Sequence, residues 1–529
     1  MAVSNAPRGY GEPLELRGKA MYFTSWKYIR QGGWHWPAKR QFDPTDPLAR
    51  IHLEMEAEEG RPSRYEPRNM PRGLSLTVQK AQKMPVELRV DGQAVNVHTV
   101  LEDQGRYKLW YVASPARHDG TPLRKDSPLA CAESTDGFNF TALGQTEGLT
   151  RGFGGGSMFI DPSSTKERYK LIHNGTMSDA EQAAFEARYP GEACPMARRP
   201  NADGEATNHA VFGAVSADGI HWRSLPEPLM VHFADTRNTC YYDVDRKKYV
   251  AYVRIWQASP QQADLADRYT VGWGGVGRRA IGRAVSDDFR HFSKAEIVVA
   301  TGADMAPSHL WYNNAKTTLP GCPDQHLMLP WRWEMERDGG DSFLFSTNDG
   351  WAWSQVPGGP VLECGPVGGP DGEYVVVAGG LMELPDGRWA APYRGYAVPH
   401  KYPGQDPRTR TGLFPGVPHV GGYAVWPKGR LVAMECPDSE FATVAVVPPG
   451  NRIRLNASVR PAGFVQVGVQ RLRQDEIPGR GLADCDAMVG DSQAMPVTWK
   501  GQADLQHGDS PVILKFRTRH ARLFGVEFV

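Results

Sequence analysis

The sequence has no surplus of either charge: 60 Lys and Arg stand against 60 Asp and Glu. It also has no basic block, so it lacks what a protein that tracks nucleic-acid phosphates needs. No apolar run approaches the roughly 18 residues of a membrane span. The opening stretch, MAVSNAPRGYGEPLELRG, has no basic segment followed by an apolar one. No secretory signal is therefore expected, and a cytoplasmic location is the expectation. Cysteines are few and far apart: Cys131, Cys194, Cys240, Cys322, Cys364, Cys436 and Cys485. No two form a Cys-x-x-Cys pair, which excludes a zinc ribbon and a disulfide framework and predicts free thiols. No ligand spacing calls for a metal, and no motif calls for a cofactor. Disorder is excluded by an apolar content of 40%.

What is present in quantity is glycine (57), proline (42) and aromatic residues, including 15 Trp. This favours short strands and tight turns over long helices. A chain of 529 residues can hold one large all-β unit and a second, smaller one.

One short pattern recurs. It reads STDGFNF from Ser134, SADGIHW from Ser216, SDDFRHF from Ser286 and TNDGWAW from Thr347. In each copy an Asp is followed four residues later by an aromatic: Asp136 and Phe140, Asp218 and Trp222, Asp288 and Phe292, Asp349 and Trp353. Asp-Gly between β-rich runs is a turn signal, because Gly accepts positive φ and Asp can bond the turn backbone. The aromatic then packs against a neighbouring strand. A second pattern is interleaved with the first: an apolar strand, a polar turn, then a Tyr- or Trp-rich strand. It appears at 95–113, 156–172, 239–255, 312–333 and 379–396. Each of the first four copies is followed by an Asp turn; the fifth is followed by GYAVWPKGRLVAM from Gly422. Five such units of about four strands each predict an all-β fold, a five-bladed β-propeller.

Residues 1–90 fall outside the repeat and are expected to form an N-terminal extension that packs on the propeller and donates a closing strand. The propeller is expected over 91–434. Residues 435–529, with runs such as RIRLNASV and GFVQVGVQRL, predict a small C-terminal β-sandwich.

In a propeller the innermost strands begin near the axis, and their leading residues converge on one mouth. Asp91, Asn96 and His98 precede or open the first such strand; Gly154, Gly155, Gly156 and Ser157 open the second. Asp235, Arg237 and Asn238 precede the third, and His309, Trp311 and Asn313 the fourth. Glu363, Asp371 and Glu373 approach the fifth, while returning strands add Arg254, Arg332, Arg394 and His400. Such a set suits a sugar, with aromatic faces for C–H surfaces and Asn, Arg and carboxylates for hydroxyl pairs. Asp235 and Glu373 are the candidate catalytic pair, one acid and one base or nucleophile. Bland readings stand beside these. Asp235 equally fits an Asx turn, Glu373 an exposed turn, and His98 a core histidine. The glycine run lacks the Lys-Ser/Thr of a phosphate loop and fits a turn or a close approach. Asp161, in Ile-Asp-Pro, is expected to point away from the mouth, and the Asp turns to be structural. Trp34, His35 and Trp36 are core or a ligand platform.

The SADGIHW-type turns and interleaved hairpins resemble the five-bladed propeller glycoside hydrolases of families 32, 43 and 68. ERYKLI from Glu167, ADTRNTCYYDVDRKKYVAYVR from Ala234 and YNNA from Tyr312 carry the resemblance. The tail motifs GLADCDAMVGDSQAMPVTW from Gly481 and PVILKFRTRHARLFGVEF from Pro511 resemble the β-sandwich appended in a family-32-like bacterial group. The resemblance implies a glycoside hydrolase acting on an oligo- or polysaccharide by paired carboxylates. It also implies an Asp, an Asp and a Glu at the first three mouths, where this chain has Asn96 and His98, then glycines and Ser157, then Asp235. Two other functions stay open: a non-catalytic carbohydrate-binding protein, and a sialidase-like hydrolase of acidic sugars using Arg254, Arg332 and Arg394. Zero net charge is consistent with a neutral sugar.

Overall fold

A computed structural model describes residues 13–31, 33–35, 66–68, 70–84, 88–112, 129–151, 154–194, 198–200, 206–257, 278–400, 419–472 and 475–529. Trp36 lies outside them. Trp34 and His35 are described only as backbone, in a short strand Gly33–His35 paired with Glu66–Arg68. The chain divides into two compact units, 78–431 and 1–77 with 432–529.

The larger unit is nearly all β; its helix α1 (Asp179–Arg188) carries a capping box between Ser178 and Glu181. Among the described residues five sheets of four or more strands follow one another along it, and a separate pair joins His309–Trp311 to Arg332–Glu334. The first runs Asn96–Asp103, Arg106–Val112, Leu129–Ser134, Asn139–Gln145, with the short strands Arg89–Val90 and Gln93–Ala94 beyond. Gly154–Ile160, Tyr169–Met177 and Ala206–Ser216 form the second, which Trp222–Ser224 and Arg198–Pro200 extend. In the third, Thr239–Asp243, Lys248–Gln257, Arg278–Ser286 and Glu296–Val299 pair in order. Lys316–Leu319, Cys322–Met328, Phe345–Thr347 and Trp353–Gln355 make the fourth. The fifth places Tyr374–Val377 and Met382–Glu383 on Trp389–Tyr396, then His419–Trp426, then Gln82–Lys83.

Each Asp turn repeats one bond pattern. Asp218 Oδ1 accepts from the backbone N–H of Ile220 (2.8 Å) and His221 (2.9 Å), while Ser216 Oγ accepts from Gly219 N–H (2.8 Å). The same contacts recur at Asp136, Asp288 and Asp349. Burial alone would raise these carboxyl pKa values, but the hydrogen bonds win and hold all four below the ordinary range. The degenerate copy has Phe289 where the others have Gly, at φ 59°.

These turns also join the sheets. Trp110 Nε1 of the first sheet donates to Gly219 O of the second (2.8 Å). Tyr249 Oη of the third reaches Asp161 Oδ2 of the second (2.7 Å), and Tyr252 Oη reaches Gly350 O of the fourth (2.7 Å). Leu381 N–H, beside the fifth sheet, donates to Thr317 Oγ1 of the fourth (2.8 Å). Tyr423 Oη of the fifth donates to Gly137 O of the first (2.8 Å). The sheets thus form a closed cycle of neighbours. Between successive sheets lie separate apolar clusters, into which Phe140, Trp222, Phe292 and Trp353 are buried.

Two details differ from the sequence reading. The Pro427–Lys428–Gly429 turn does not return a strand to the fifth sheet: Val432–Ala442 belongs to the other unit, and Gln82–Lys83 closes the sheet on Ala424 and Val425. Only 78–90 of the expected N-terminal extension therefore lie in the repeat unit; 1–77 group with the C-terminal residues. In that second unit the long strands Ile453–Gln470 and Ile513–Phe528 pair along their length, flanked by Gly490–Pro496, Val432–Ala442, Ala20–Tyr22 and Ser75–Val78. Register shifts between Val459 and Phe464, where Ala462 sits at φ 63°, let the strand bend. Phe23, Phe441 and Phe516 pack together in its core. No helix among the described residues is long and apolar enough to cross a membrane.

Candidate functional site

The starts of the first strands and the ends of the second strands carry a continuous polar and aromatic cluster. Its centre is the lead into the third sheet. Asp235 there forms an ion pair with Arg254, whose guanidinium is fully buried and also donates to Phe233 O (3.0 Å). Arg254 lies over the Phe233 ring at 4.3 Å. Two residues on, Arg237 donates to His98 O of the first sheet (2.5 Å). Burial, then the charge of Arg394, pushes the Arg237 pKa down to about 9. Burial also holds His98 well below the ordinary histidine value, and Arg237, Arg394 and His173 push it the same way. His98 is therefore neutral at neutral pH. Its Nδ1 lies 3.0 Å from Thr99 Oγ1.

On the side of the fourth and fifth sheets the cluster becomes aromatic. Trp331, Tyr374 and Tyr396 stack in series, with centroid distances of 4.9 and 4.1 Å, and Tyr312 packs tilted on Trp331 at 4.8 Å. His400 bonds two of them, through Nε2 to Tyr312 Oη (2.8 Å) and Nδ1 to Tyr374 Oη (3.4 Å). Arg279 lies 3.9 Å from the Tyr312 ring. Burial raises the Tyr312 pKa; Arg279 opposes this and Asp235 adds to it, which places Tyr312 beside the Asp235–Arg254 pair. Tyr396 acts on Arg237 in the same way and closes the circuit.

Other expected residues sit close by but are spent on structure. Asn238 Nδ2 donates to Gly155 O (3.1 Å) and Ala234 O (2.9 Å), and Ser157 Oγ donates to Asn238 O (2.7 Å). Asn313 Oδ1 accepts from Trp331 N–H (2.7 Å). The glycine run is explained by backbone, not ligand: a Cβ at Gly155, φ 51°, would stand 2.4 Å from Thr236 O, and one at Gly156 2.2 Å from Ile172 O.

Several expected residues are not brought together. Asp91 occupies a tight turn at the outer edge of the first sheet, at φ 48°, where its N–H donates to Phe140 O (3.0 Å). Trp311 is buried in the core between the third and fourth sheets, edge-on to Phe343 and Phe345. Arg332 pairs with Glu334 (2.7 Å) and stacks on Phe343. His309 lies 3.8 Å from Glu336. Glu363 pairs with Lys80 (2.7 Å), and Asp371 with Lys83. The Asn96 backbone opens the first strand, paired with Val112. Glu373 is anchored by its backbone, N–H to Tyr396 O (3.0 Å) and O from Gly340 N–H (3.1 Å). Its neighbour Tyr374 enters the aromatic cluster. Adjacent residues of an extended chain face opposite sides, so the Glu373 side chain starts from the other face.

Asp161 is fully buried, bonded to Lys170 Nζ (2.8 Å), Tyr249 Oη (2.7 Å) and Ser163 Oγ (2.6 Å), between the second and third sheets. Its role there is structural. Sequence reasoning missed Tyr312, Trp331, Tyr396, Arg279 and His173. The signal available was their position at strand ends on the mouth side. Among the described residues, no group of three or more His, Cys, Asp or Glu could hold a metal ion.

No protein-family model matches the chain, and no curated protein is similar to it. Solved structures similar to it include a glycoside hydrolase (14% identity, TM-score 0.42, covering 67% of this chain and 94% of that one). A second is the Bombyx mori GH32 β-fructofuranosidase (10% identity, TM-score 0.39, covering 92% and 99%). A third is a thermostable family-43 glycoside hydrolase (13% identity, TM-score 0.39, covering 67% and 96%). At TM-scores below 0.5 these likenesses carry no argument about the chemistry of this chain.

Proposed function

We propose that the five cyclically bonded sheets are the blades of a five-bladed β-propeller spanning 78–431, and that the remaining unit is a β-sandwich. On this reading the cluster around Asp235 is the mouth of a glycoside hydrolase site. The observation that carries it is the convergence of His98 from the first sheet, Tyr374 and Arg394 from the fifth, and Asp235, Arg237 and Tyr312 from the leads into the third and fourth. The ion pair with Arg254 suits Asp235 to the base or nucleophile of the pair. Glu373, whose backbone borders the cluster beside Tyr374 but whose side chain starts from the other face, is the carboxylate proposed as acid and is the weaker half of the pair. The Tyr312–Trp331–Tyr374–Tyr396 series offers faces for the C–H surfaces of sugar rings.

Asp235→Asn and Glu373→Gln, assayed on a broad panel of chromogenic glycosides and polysaccharides, test the assignment. Removing an acid or base of this kind costs about 10²–10⁴-fold in kcat. Unchanged turnover in both variants would sink it. The ion pair that engages Asp235 favours one second reading, a propeller that binds glycan without cleaving it. Glycan binding with no product released would support that reading.

A further inference from the structure

The repeat breaks its own pattern between the third and fourth sheets. Three residues before the Ser or Thr that opens each Asp turn stand Cys131, Gly213, Arg283 and Leu344. Cys131, Gly213 and Leu344 are buried, and Cys131 packs into the core between the first and second sheets. Arg283 is only 8% exposed, yet it brings a guanidinium to the same place. Among the described residues no carboxylate forms an ion pair with it, its exposed cross-strand neighbour Glu296 included. Its Nε is buried without a hydrogen-bond partner. A guanidinium buried without a counter-ion is costly, and packing gives no reason for one where Cys or Leu serves elsewhere.

A second position breaks the pattern beside it. Two residues after each turn Asp stand Phe138, Ile220, Arg290 and Trp351. Phe138 packs edge-on against Tyr423, Ile220 packs on the core that holds Trp222, and Arg290 pairs with Glu167. Trp351 is instead 49% exposed, and the Arg283 guanidinium lies 4.4 Å from its ring. Polar atoms gather next to it. Tyr252 Oη donates to Gly350 O (2.7 Å). A Cβ on Gly350 would stand 3.8 Å from Tyr241 Oη, 3.9 Å from Tyr252 Oη and 3.8 Å from His326 Cδ2. Two phenols and an imidazole therefore meet beside Trp351, and Tyr241 and His326 are only half-buried. The patch lies at the turn end of these sheets, opposite the end that carries Asp235.

An open indole face takes the C–H side of a sugar ring, while guanidinium, phenol and imidazole bond its hydroxyls. An inorganic anion would leave the ring unused, and one exposed indole is far smaller than the apolar patch of a protein interface. We infer that the edge between the third and fourth sheets is a second saccharide-binding site, where a sugar residue of a glycan stacks on Trp351 and bonds Arg283 and Tyr241. It is separate from the Asp235 cluster and does not require that cluster to be hydrolytic.

The test is native affinity electrophoresis of the full chain through gels containing arabinan, galactan, arabinoxylan, glucomannan or mixed-linkage β-glucan. At least one of these polysaccharides is expected to retard the chain. Trp351→Ala should then raise the dissociation constant roughly five-fold or more, and Trp351→Phe should restore part of the affinity. Arg283→Met keeps the apolar stem and removes the donors. It should weaken binding roughly three-fold or more without lowering the thermal unfolding midpoint. A guanidinium that only braces the indole would give the reverse, a lower midpoint with binding unchanged. Thermal unfolding shows that each variant is folded, and Arg283→Met decides if Trp351→Ala is not. Normal mobility in every gel, or Trp351→Ala retarded as strongly as the unmodified chain, overturns the inference. Loss of all retardation in Asp235→Asn would place the binding at the mouth and overturn it as well. Trp351-dependent retardation with no product released overturns only the hydrolase reading.

Discussion

Replacing Asp161 by Asn removes one charge from the fully buried Asp161–Lys170 pair while keeping the shape of the side chain. Both side chains are excluded from water, at 0% and 1% exposure. The loss has two parts. The bonds from Tyr249 and the two Ser163 donors weaken, because a charged acceptor becomes neutral. More important, the Lys170 ammonium loses its 2.8 Å partner and keeps Glu167 O (2.9 Å), Glu167 Oε2 at 3.5 Å and the Tyr249 and Phe289 ring faces. The Glu167 carboxylate is already shared with Arg223 and Arg290. Breaking a buried pair from one side costs about 3–5 kcal/mol. Partial rescue by Glu167 puts the expectation near the lower end, about 3 kcal/mol. A domain of this size moves by about 2 °C per kcal/mol, so calorimetry should show the 78–431 transition falling by roughly 6 °C. The double variant Asp161→Asn/Lys170→Met removes both charges and should recover most of the loss.

The pH dependence has a fixed sign. Burial would raise the Asp161 pKa, but Lys170, Ser163 and Tyr249 outweigh it and the folded value lies below the ordinary 3.8. The unfolded chain therefore binds the proton more readily. The stabilisation is complete above the unfolded value and is lost as pH falls below about 4 through the folded one. A fall of less than about 2 °C for Asp161→Asn at neutral pH, or one equally large in the double variant, would refute the reasoning.

Three further outcomes are expected. Gly219→Ala should cost roughly 2–4 kcal/mol, since φ is +85° and the new Cβ would meet Trp110 Cζ2 at 2.7 Å. Gly92→Ala, at φ +78° with nothing within 4 Å, should cost only the backbone strain of about 1–2 kcal/mol, and urea titration of the pair separates strain from clash. Lys316 is buried over the Tyr241 ring at 3.2 Å, and burial lowers its pKa from 10.5 to about 7. Since the unfolded chain then holds more protons between those values, this group makes stability rise with pH from 7 to 10.5. Lys316→Met should abolish that slope and gain on the order of 2 kcal/mol at pH 7, read by thermal unfolding across the interval.

The Asp turns were legible because everything they need lies within seven residues. Asp218 bonds the N–H groups two and three positions on, Gly219 supplies the positive φ, and Trp222 follows at fixed spacing into a core. The mouth was legible only as a region. Asp235, Arg237, His98 and Arg394 do come together, because strand starts and returning strand ends share one end of every sheet. Orientation was the missing information. Trp311 has the composition of a sugar platform but alternation along His309–Trp311 turns it into the core. Arg332 and Glu334 are two apart in a strand, hence on one face, and their pairing could have been read from that spacing. Asp91 begins an Asp-Gly pair, and the turn rule applied to Asp136 and Asp218 places it correctly at an outer hairpin. The aromatic series had no motif: it brings together rings 43 residues apart in the chain, Trp331 and Tyr374 (374 − 331).

The zero net charge of the whole chain is a poor guide to what the mouth accepts. The sum is dominated by exposed groups that pair with one another or with water, as Arg188 does with Glu227 and Lys248 with Asp287. Such pairs are screened within a Debye length and contribute almost nothing to the field inside the mouth. Around the exposed Asp235 the guanidinium groups of Arg237, Arg254 and Arg279 are buried. Low-dielectric walls strengthen each of their contributions, so the local sign outweighs the global balance. Neutrality of the chain therefore argues against a protein that binds polyanions over its whole surface, but says nothing of the charge of a ligand at the Asp235 cluster.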